Sequence, residues 1–148
     1  MSKADQLYNI IRFIRPLYLN LSNAVEKELE GTGISVAKRA VLEIISDCGP
    51  QTVPNIGRIM SVQRQYIQGM VNELEDDGLV GKAPNAAHKR SVLIQITAKG
   101  SKAIKAVRDK EQLNLAKVAK GLTQEQIESA QAVINHLNEF FSMNQNGG

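Results

Sequence analysis

The chain has 148 residues, 43% of them apolar and 22% charged, with a net charge of +3; that is the size and balance of one globular domain able to bury a core without staples. No apolar run approaches the roughly 18 residues of a membrane span, and the N-terminal "MSKADQLYNIIRFIRP" lacks the pattern of a secretory signal. The single cysteine, Cys48, excludes an internal disulfide. The expected setting is cytoplasmic, with no membrane partner.

Over residues 5–30, Leu7, Ile10, Ile11, Ile14, Tyr18, Leu21, Val25 and Leu29 recur at steps of three and four. The spacing predicts one apolar stripe on a helix that Pro16 either kinks or divides. "GTG" at 31–33 stops it. Ser35 caps a second helix that buries Val41, Leu42, Ile44 and Ile45, and "DCGP" at 47–50 ends that helix. Thr52 caps a short third helix with Pro54 in its first turn and Ile56, Ile59 and Met60 inward. Ser61 and Val62 make a tight corner. A longer helix then runs from about Gln63 to Asp77, stopped by Gly78 in the left-handed cap position.

"GLVGKAPNAAHKRSVLIQITAKG", residues 78–100, reads as a β-hairpin with a basic tip. On its return strand Val92, Ile94 and Ile96 alternate with Leu93 and Gln95. Thr97 caps a long helix to about Lys120, Gly121 breaks it, and Thr123 with Gln126 forms a capping box for the last helix. That helix carries Ile127, Val133, Ile134, Leu137, Phe140 and Phe141, and the tail "NQNGG" is expected to fray. The fold expected is mainly α with a small β-hairpin wing, a winged helix-turn-helix.

Charge is distributed unevenly. Residues 34–105 hold ten Lys or Arg against six Asp or Glu, whereas the flanks hold eight against nine. From Gly78 to Arg108 there are seven cations and no acid. The middle of the chain is therefore where a polyanion would bind. At 100° per residue, Ile67, Met70, Val71 and Leu74 face the core. Gln65, Gly69, Asn72 and Asp76 lie opposite, with Gln68 at the edge. "QRQYIQ" at 63–68 supplies groups for reading a major groove: glutamine for adenine, arginine for guanine, tyrosine for a phosphate or a thymine methyl. No acid occurs from Gly49 to Asn72, while Glu73, Glu75, Asp76 and Asp77 crowd the far end, against the helix dipole. Gly69 in mid-helix costs about 1 kcal/mol against alanine. Close approach to a DNA strand would account for it, as would a tolerated surface position.

Cys48, His88 and His136 are too scattered to hold a metal, so no metal site is expected. There is no nucleophile elbow and no phosphate-cradling glycine loop, so neither catalytic residues nor a cofactor are expected. Cys48 has no cation near it in sequence to favour the thiolate, and reads as a structural cysteine.

Residues 72–100, "NELEDDGLVGKAPNAAHKRSVLIQITAKG", resemble the multiple-antibiotic-resistance-regulator (MarR) family. The end of the recognition helix, the wing and the threonine–x–x–glycine opening of the next helix all correspond, and the order of elements fits over nearly the whole chain. The resemblance implies a homodimer with interleaved first and last helices, bound to double-stranded DNA at a palindromic operator. It implies a single domain with dimerisation helices at 1–33 and 101–143 around a DNA-binding part at 34–100. It makes Arg90 the wing arginine and puts Arg64, Gln65 and Tyr66 at base-contact positions. With the basic and polar neighbours, the expected DNA-contact set is Lys38, Arg39, Gln63, Arg64, Gln65, Tyr66, Gln68, Lys82, His88, Lys89 and Arg90.

A small aromatic effector is also implied, with Tyr8, Arg15 and Tyr18 as candidate contacts. Two positions depart from the family: His88 stands where an aspartate usually steadies the wing arginine, and Gly69 where a basic residue is common. His88 could instead add a charge at the tip on acidification. The reading is thus a transcriptional regulator, a repressor by preference. The alternative is a winged-helix interaction module whose hairpin binds an acidic protein.

Overall fold

The computed structural model describes residues 1–145. The order is α1 (Lys3–Leu29), α2 (Val36–Cys48), α3 (Val53–Met60), α4 (Arg64–Asp76), β1 (Val80–Pro84), β2 (Val92–Ile96), α5 (Ala98–Ala119) and α6 (Gln124–Gln145). Met1–Arg108 form one compact unit; a second begins at Asp109, with the remainder of α5 and α6.

In the first unit, α1 starts at a capping box. The Asp5 N–H donates to the Ser2 hydroxyl at 3.1 Å, and the Ser2 N–H donates back to the Asp5 carboxylate at 2.9 Å. The Ser2 hydroxyl also donates to that carboxylate and holds it below the usual aspartate range. Pro16 does not divide the helix, which continues through it for 27 residues. Only its C-terminal end reaches the core: Leu29 is buried and Val25 packs against the cluster, whereas Ile10, Ile14, Tyr18 and Leu21 are exposed. The expected stripe exists, but this chain covers only its last turns.

Val41, Leu42 and Ile45 of α2, Ile56 of α3, and Ile67, Val71 and Leu74 of α4 are sealed from solvent and form the centre of the core. At about 1.5–3 kcal/mol per buried aliphatic side chain, this burial dominates the folding of the unit. Ile94 from the hairpin and Ile104 and Val107 from α5 close it.

Two apolar residues and the cysteine differ from expectation. Ile59 is 51% exposed. The inward line on α3 is Val53, Ile56, Gly57 and Met60, and Ile59 falls roughly 100° off it. Val92 is exposed too, because it sits at the tip end of β2, beyond the reach of the core. Cys48 is exposed at the last turn of α2, one turn past Ile45, and has no packing role.

The corner between α3 and α4 is made by close backbone approach. The Val62 N–H donates to the Gly57 carbonyl at 2.9 Å, and a β-carbon on Gly57 would stand only 2.9 Å from the Val62 carbonyl oxygen. Ser61 takes the left-handed conformation, φ 55°, that such a reversal requires. The wing is a two-stranded antiparallel sheet with Lys82 opposite Ile94. A third partner was not legible in the sequence. Gln51, just before α3, exchanges two backbone hydrogen bonds with Ile94, at 3.0 and 2.7 Å. The helix-turn-helix and the wing are thereby joined through main chain.

A junction at Leu79 ties four elements. The Leu79 N–H donates to the carbonyl of Leu74 in α4, and the Leu79 carbonyl accepts from the Thr97 N–H. The Thr97 hydroxyl donates to the Gly78 carbonyl at 2.6 Å and accepts from the Gly100 N–H at 3.0 Å, capping α5 as expected. Gly100 lies directly on the Leu79 carbonyl, where any β-carbon would overlap the oxygen.

In the second unit, Thr123 and Gln126 form the expected capping box, at 2.9 and 3.1 Å. Phe140 and Phe141 meet edge to face, and with Ile127 and Ile134 they remain exposed. Of the tail expected to fray, Asn144 and Gln145 are helical; Asn146–Gly148 lie outside the described residues.

Gly100→Ala is expected to destabilise the protein by about 1–3 kcal/mol, through overpacking against main chain that cannot yield. Urea denaturation followed by circular dichroism measures it as a lower midpoint.

Candidate nucleic-acid interface

Burial of Ile67, Met70, Val71 and Leu74 turns the opposite face of α4 outward. Arg64, Gln65, Tyr66, Gln68, Gly69 and Asn72 are all exposed. Tyr66 is 57% exposed, far more than its ring would be if it served the core. Gln68 donates to Asn72 at 2.9 Å, so the polar face is partly self-ordered. A β-carbon on Gly69 would meet nothing within 4 Å, so no contact within the chain demands glycine there.

The wing projects beside this face. Its tip is closed by its own hydrogen bonds. The Asn85 side-chain amide donates to the Ser91 hydroxyl at 3.1 Å, and its carbonyl oxygen accepts from the Ala87 N–H at 3.1 Å. The His88 N–H donates to the Asn85 carbonyl, and the Ser91 N–H to the His88 carbonyl. Asn85 and Ser91 thus order the loop that presents His88, Lys89 and Arg90, without a carboxylate at position 88.

Between helix and wing lies an open groove of about 280 Å³. Arg64 and Gln68 line it from α4, Lys82 and Arg90 from the wing, and Thr52 and Pro54 from the start of α3. A second recess at the α3–α4 corner is lined by Arg58, Ser61, Gln63 and Arg64. Arg64 belongs to both. Of the residues expected from sequence, these two concavities gather Gln63, Arg64, Gln68, Lys82 and Arg90. Gln65 and Tyr66 stand on the exposed helix face, and His88 and Lys89 on the wing tip.

Arg58 was not among the expected residues. It lies within the acid-free run from Gly49 to Asn72, and that run was the available signal. Its place at the corner depends on the Gly57–Val62 reversal, which no periodicity reveals.

The cations fall into two groups. Arg58, Arg64, Lys89 and Arg90 have no acidic partner among the described residues. Lys38 and Arg39 are different. Lys38 is only 16% exposed and meets Glu73 at 2.7 Å; that hydrogen bond raises its pKa above the ordinary lysine value. Arg39 is 17% exposed and pairs with Glu43 at 3.0 Å. Glu43 also receives Arg108, which reaches Asp47 at 2.8 Å. Lys82 is intermediate, in the groove but 3.7 Å from Glu75. Free guanidinium groups beside exposed amide and phenol side chains suit a polyanion whose base edges carry donors and acceptors.

Among the described residues no group of three or more His, Cys, Asp or Glu is placed to hold a metal, and no helix is long and apolar enough to cross a membrane.

The MarR family profile matches residues 32–91 of the chain. The crystal structure of a MarR family transcription regulator is 31% identical, with a TM-score of 0.87, and the match covers 99% of this chain and 97% of that one. FabT from Streptococcus pneumoniae, solved in complex with DNA, is 18% identical with a TM-score of 0.79, covering 91% of this chain and 96% of that one. The HTH-type transcriptional regulator YkoM of Bacillus subtilis (strain 168), itself uncharacterized, is 22% identical over 121 residues, which are 82% of this chain and 79% of YkoM. With the winged helix-turn-helix already described, these likenesses assign the chain to the MarR family of transcriptional regulators.

Proposed function

We propose that the protein binds double-stranded DNA sequence-specifically, as a homodimer on a palindromic operator, and represses transcription there. The observation that carries this reading is the groove in which Arg64 and Gln68 of α4 face Arg90 of the wing, with both guanidinium groups free of acidic partners among the described residues. In that geometry the start of α4 enters a major groove, Arg64, Gln65 and Tyr66 reach base edges, and Arg90 enters the adjacent minor groove, where the potential is most negative. Lys89 and Arg58 would meet phosphates. Open space around Gly69 leaves room for a DNA strand to come close. The likeness to FabT, solved with DNA, supports the same reading.

Dimerisation, through the helices within 1–33 and 101–143, is supported by apolar surface that one chain leaves uncovered. Ile10, Ile14, Leu17 and Leu21 are exposed on α1, as are Ile134, Phe140 and Phe141 on α6. Monomeric proteins seldom leave such area in water. A twofold pair would set two recognition helices about 34 Å apart, one turn of duplex. The family's habit of binding aromatic acids extends the proposal to a small aromatic effector near Tyr8, Arg15 and Tyr18. Tyr8 and Tyr18 are exposed on α1, and Arg12 stands over the Tyr8 ring at 5.9 Å. A duplex DNA partner makes the cytoplasm the place of action.

Selection of bound fragments from total genomic DNA tests the central claim. Enrichment of fragments that share a palindrome is expected; a protein that enriches none, and instead retains an acidic protein, overturns it. On an enriched duplex, Arg64→Ala or Gln65→Ala should lose about 1–3 kcal/mol of discrimination at one base pair per half-site. Arg90→Ala and Arg58→Ala should weaken all duplexes alike, each lowering the slope of log affinity against log salt by about one.

A further inference from the structure

The C-terminal turn of α4 carries Glu73, Glu75, Asp76 and Asp77, an arrangement that the helix dipole opposes. Each of three neighbouring elements sends a lysine to this turn. Lys38 of α2 reaches Glu73 at 2.7 Å. Lys82 of β1 reaches Glu75 at 3.7 Å. Lys99 of α5 donates to the Asp77 carbonyl at 2.7 Å. Glu73 and Glu75 lie about 200° apart around the helix and so flank its buried stripe on opposite sides.

Resting on the DNA-binding reading above, we propose that Lys38 and Lys82 are positioning residues for operator recognition: clamped to Glu73 and Glu75, they set the rotation of α4 about its axis and the lean of the wing against it. Two tethers on opposite flanks resist rotation in both directions, which one tether cannot do. A rotation of 10° displaces a group at the helix surface by about 1 Å, enough to spoil a two-point contact between Arg64 or Gln65 and a base. Lys82 is also poorly placed to leave its acid for a phosphate. Lys82 reaches Oε1 of the partly buried Glu75, so withdrawing the ammonium would leave that carboxylate without this cation, facing the polyanion. Lys38 is mostly buried against its partner. The acids crowding this turn are then the receiving half of the clamp.

The full-length protein tests this. Affinity is measured against salt for the genomic duplex that wild type selects and for a random-sequence duplex, with Lys38→Gln, Lys82→Gln, Glu73→Gln, Glu75→Gln and the two paired doubles. Positioning predicts that each single variant weakens the selected duplex by roughly three- to five-fold, the range of an exposed ion pair. Each double should be no worse than its singles, binding to the random duplex and its salt slope should be unchanged, and Lys82→Arg or Lys38→Arg should restore affinity. Amide exchange in the free protein should quicken in β1 for Lys82→Gln and in the last turn of α4 for Lys38→Gln. The proposal is overturned if the lysine variants lower the salt slope by about one on both duplexes, as phosphate contacts do, or if Glu→Gln tightens binding. Either result leaves DNA binding standing. A wild-type protein that selects no duplex sinks the functional reading, and the recognition role with it.

Discussion

The main-chain junction at Leu79 is the constraint on which the geometry of the interface depends. There the end of α4, Leu79 just before β1, Thr97 just after β2 and the first turn of α5 exchange hydrogen bonds within a few ångströms. Gly100 is what permits so close an approach, because any side chain would overlap the Leu79 carbonyl. Main-chain hydrogen bonds cannot slide the way apolar contacts can. The wing therefore leaves α4 within a narrow range of directions. The bridge between Gln51 and Ile94 adds a second attachment, from the segment before α3 to the return strand. With both ends of the helix-turn-helix fastened to the hairpin, the polar face of α4 and the cationic tip share one groove.

On that frame the charges divide by partner rather than by place in the sequence. Lys38, Arg39 and Arg108 are engaged by Glu73, Glu43 and Asp47. Arg58, Arg64, Lys89 and Arg90 have no acidic partner among the described residues. Exposed ion pairs contribute at most about 1 kcal/mol each, so the engaged set does little for overall stability. Lys38 also neutralises Glu73 near the end of α4, whereas Arg39 and Arg108 neutralise Glu43 and Asp47 on α2. A net charge of only +3 is thus compatible with a locally strong positive surface.

In the MarR family frame, the apolar faces of α1 and α6 are the natural counterpart of this interface. They carry more exposed aliphatic and aromatic residues than the winged helix-turn-helix does. Covering them by a second copy would join folding of the outer helices to assembly, and would set the spacing of two recognition helices.

Much of this was legible in the amino-acid order, because it depends on local rules. Helix caps at Ser35, Thr52, Thr97 and Thr123, the stop at Gly78, the stripe of Ile67, Met70, Val71 and Leu74, and the alternating return strand each follow from the chemistry of a few adjacent residues. Those signals placed the elements, the outward face of α4 and the basic tip. Tertiary structure alone decided which apolar residues are covered. Val92 fits the local alternation but lies beyond the core's edge, at the tip end of β2. It alone also decided which cations are free, since Lys38 and Glu73 lie 35 positions apart and meet only when α2 packs on α4. Arg58 lines the recess at the α3–α4 corner for the same reason: the Gly57–Val62 reversal brings it there. Periodicity reports the face a residue takes on its own helix; whether anything stands opposite that face depends on the packing of distant segments.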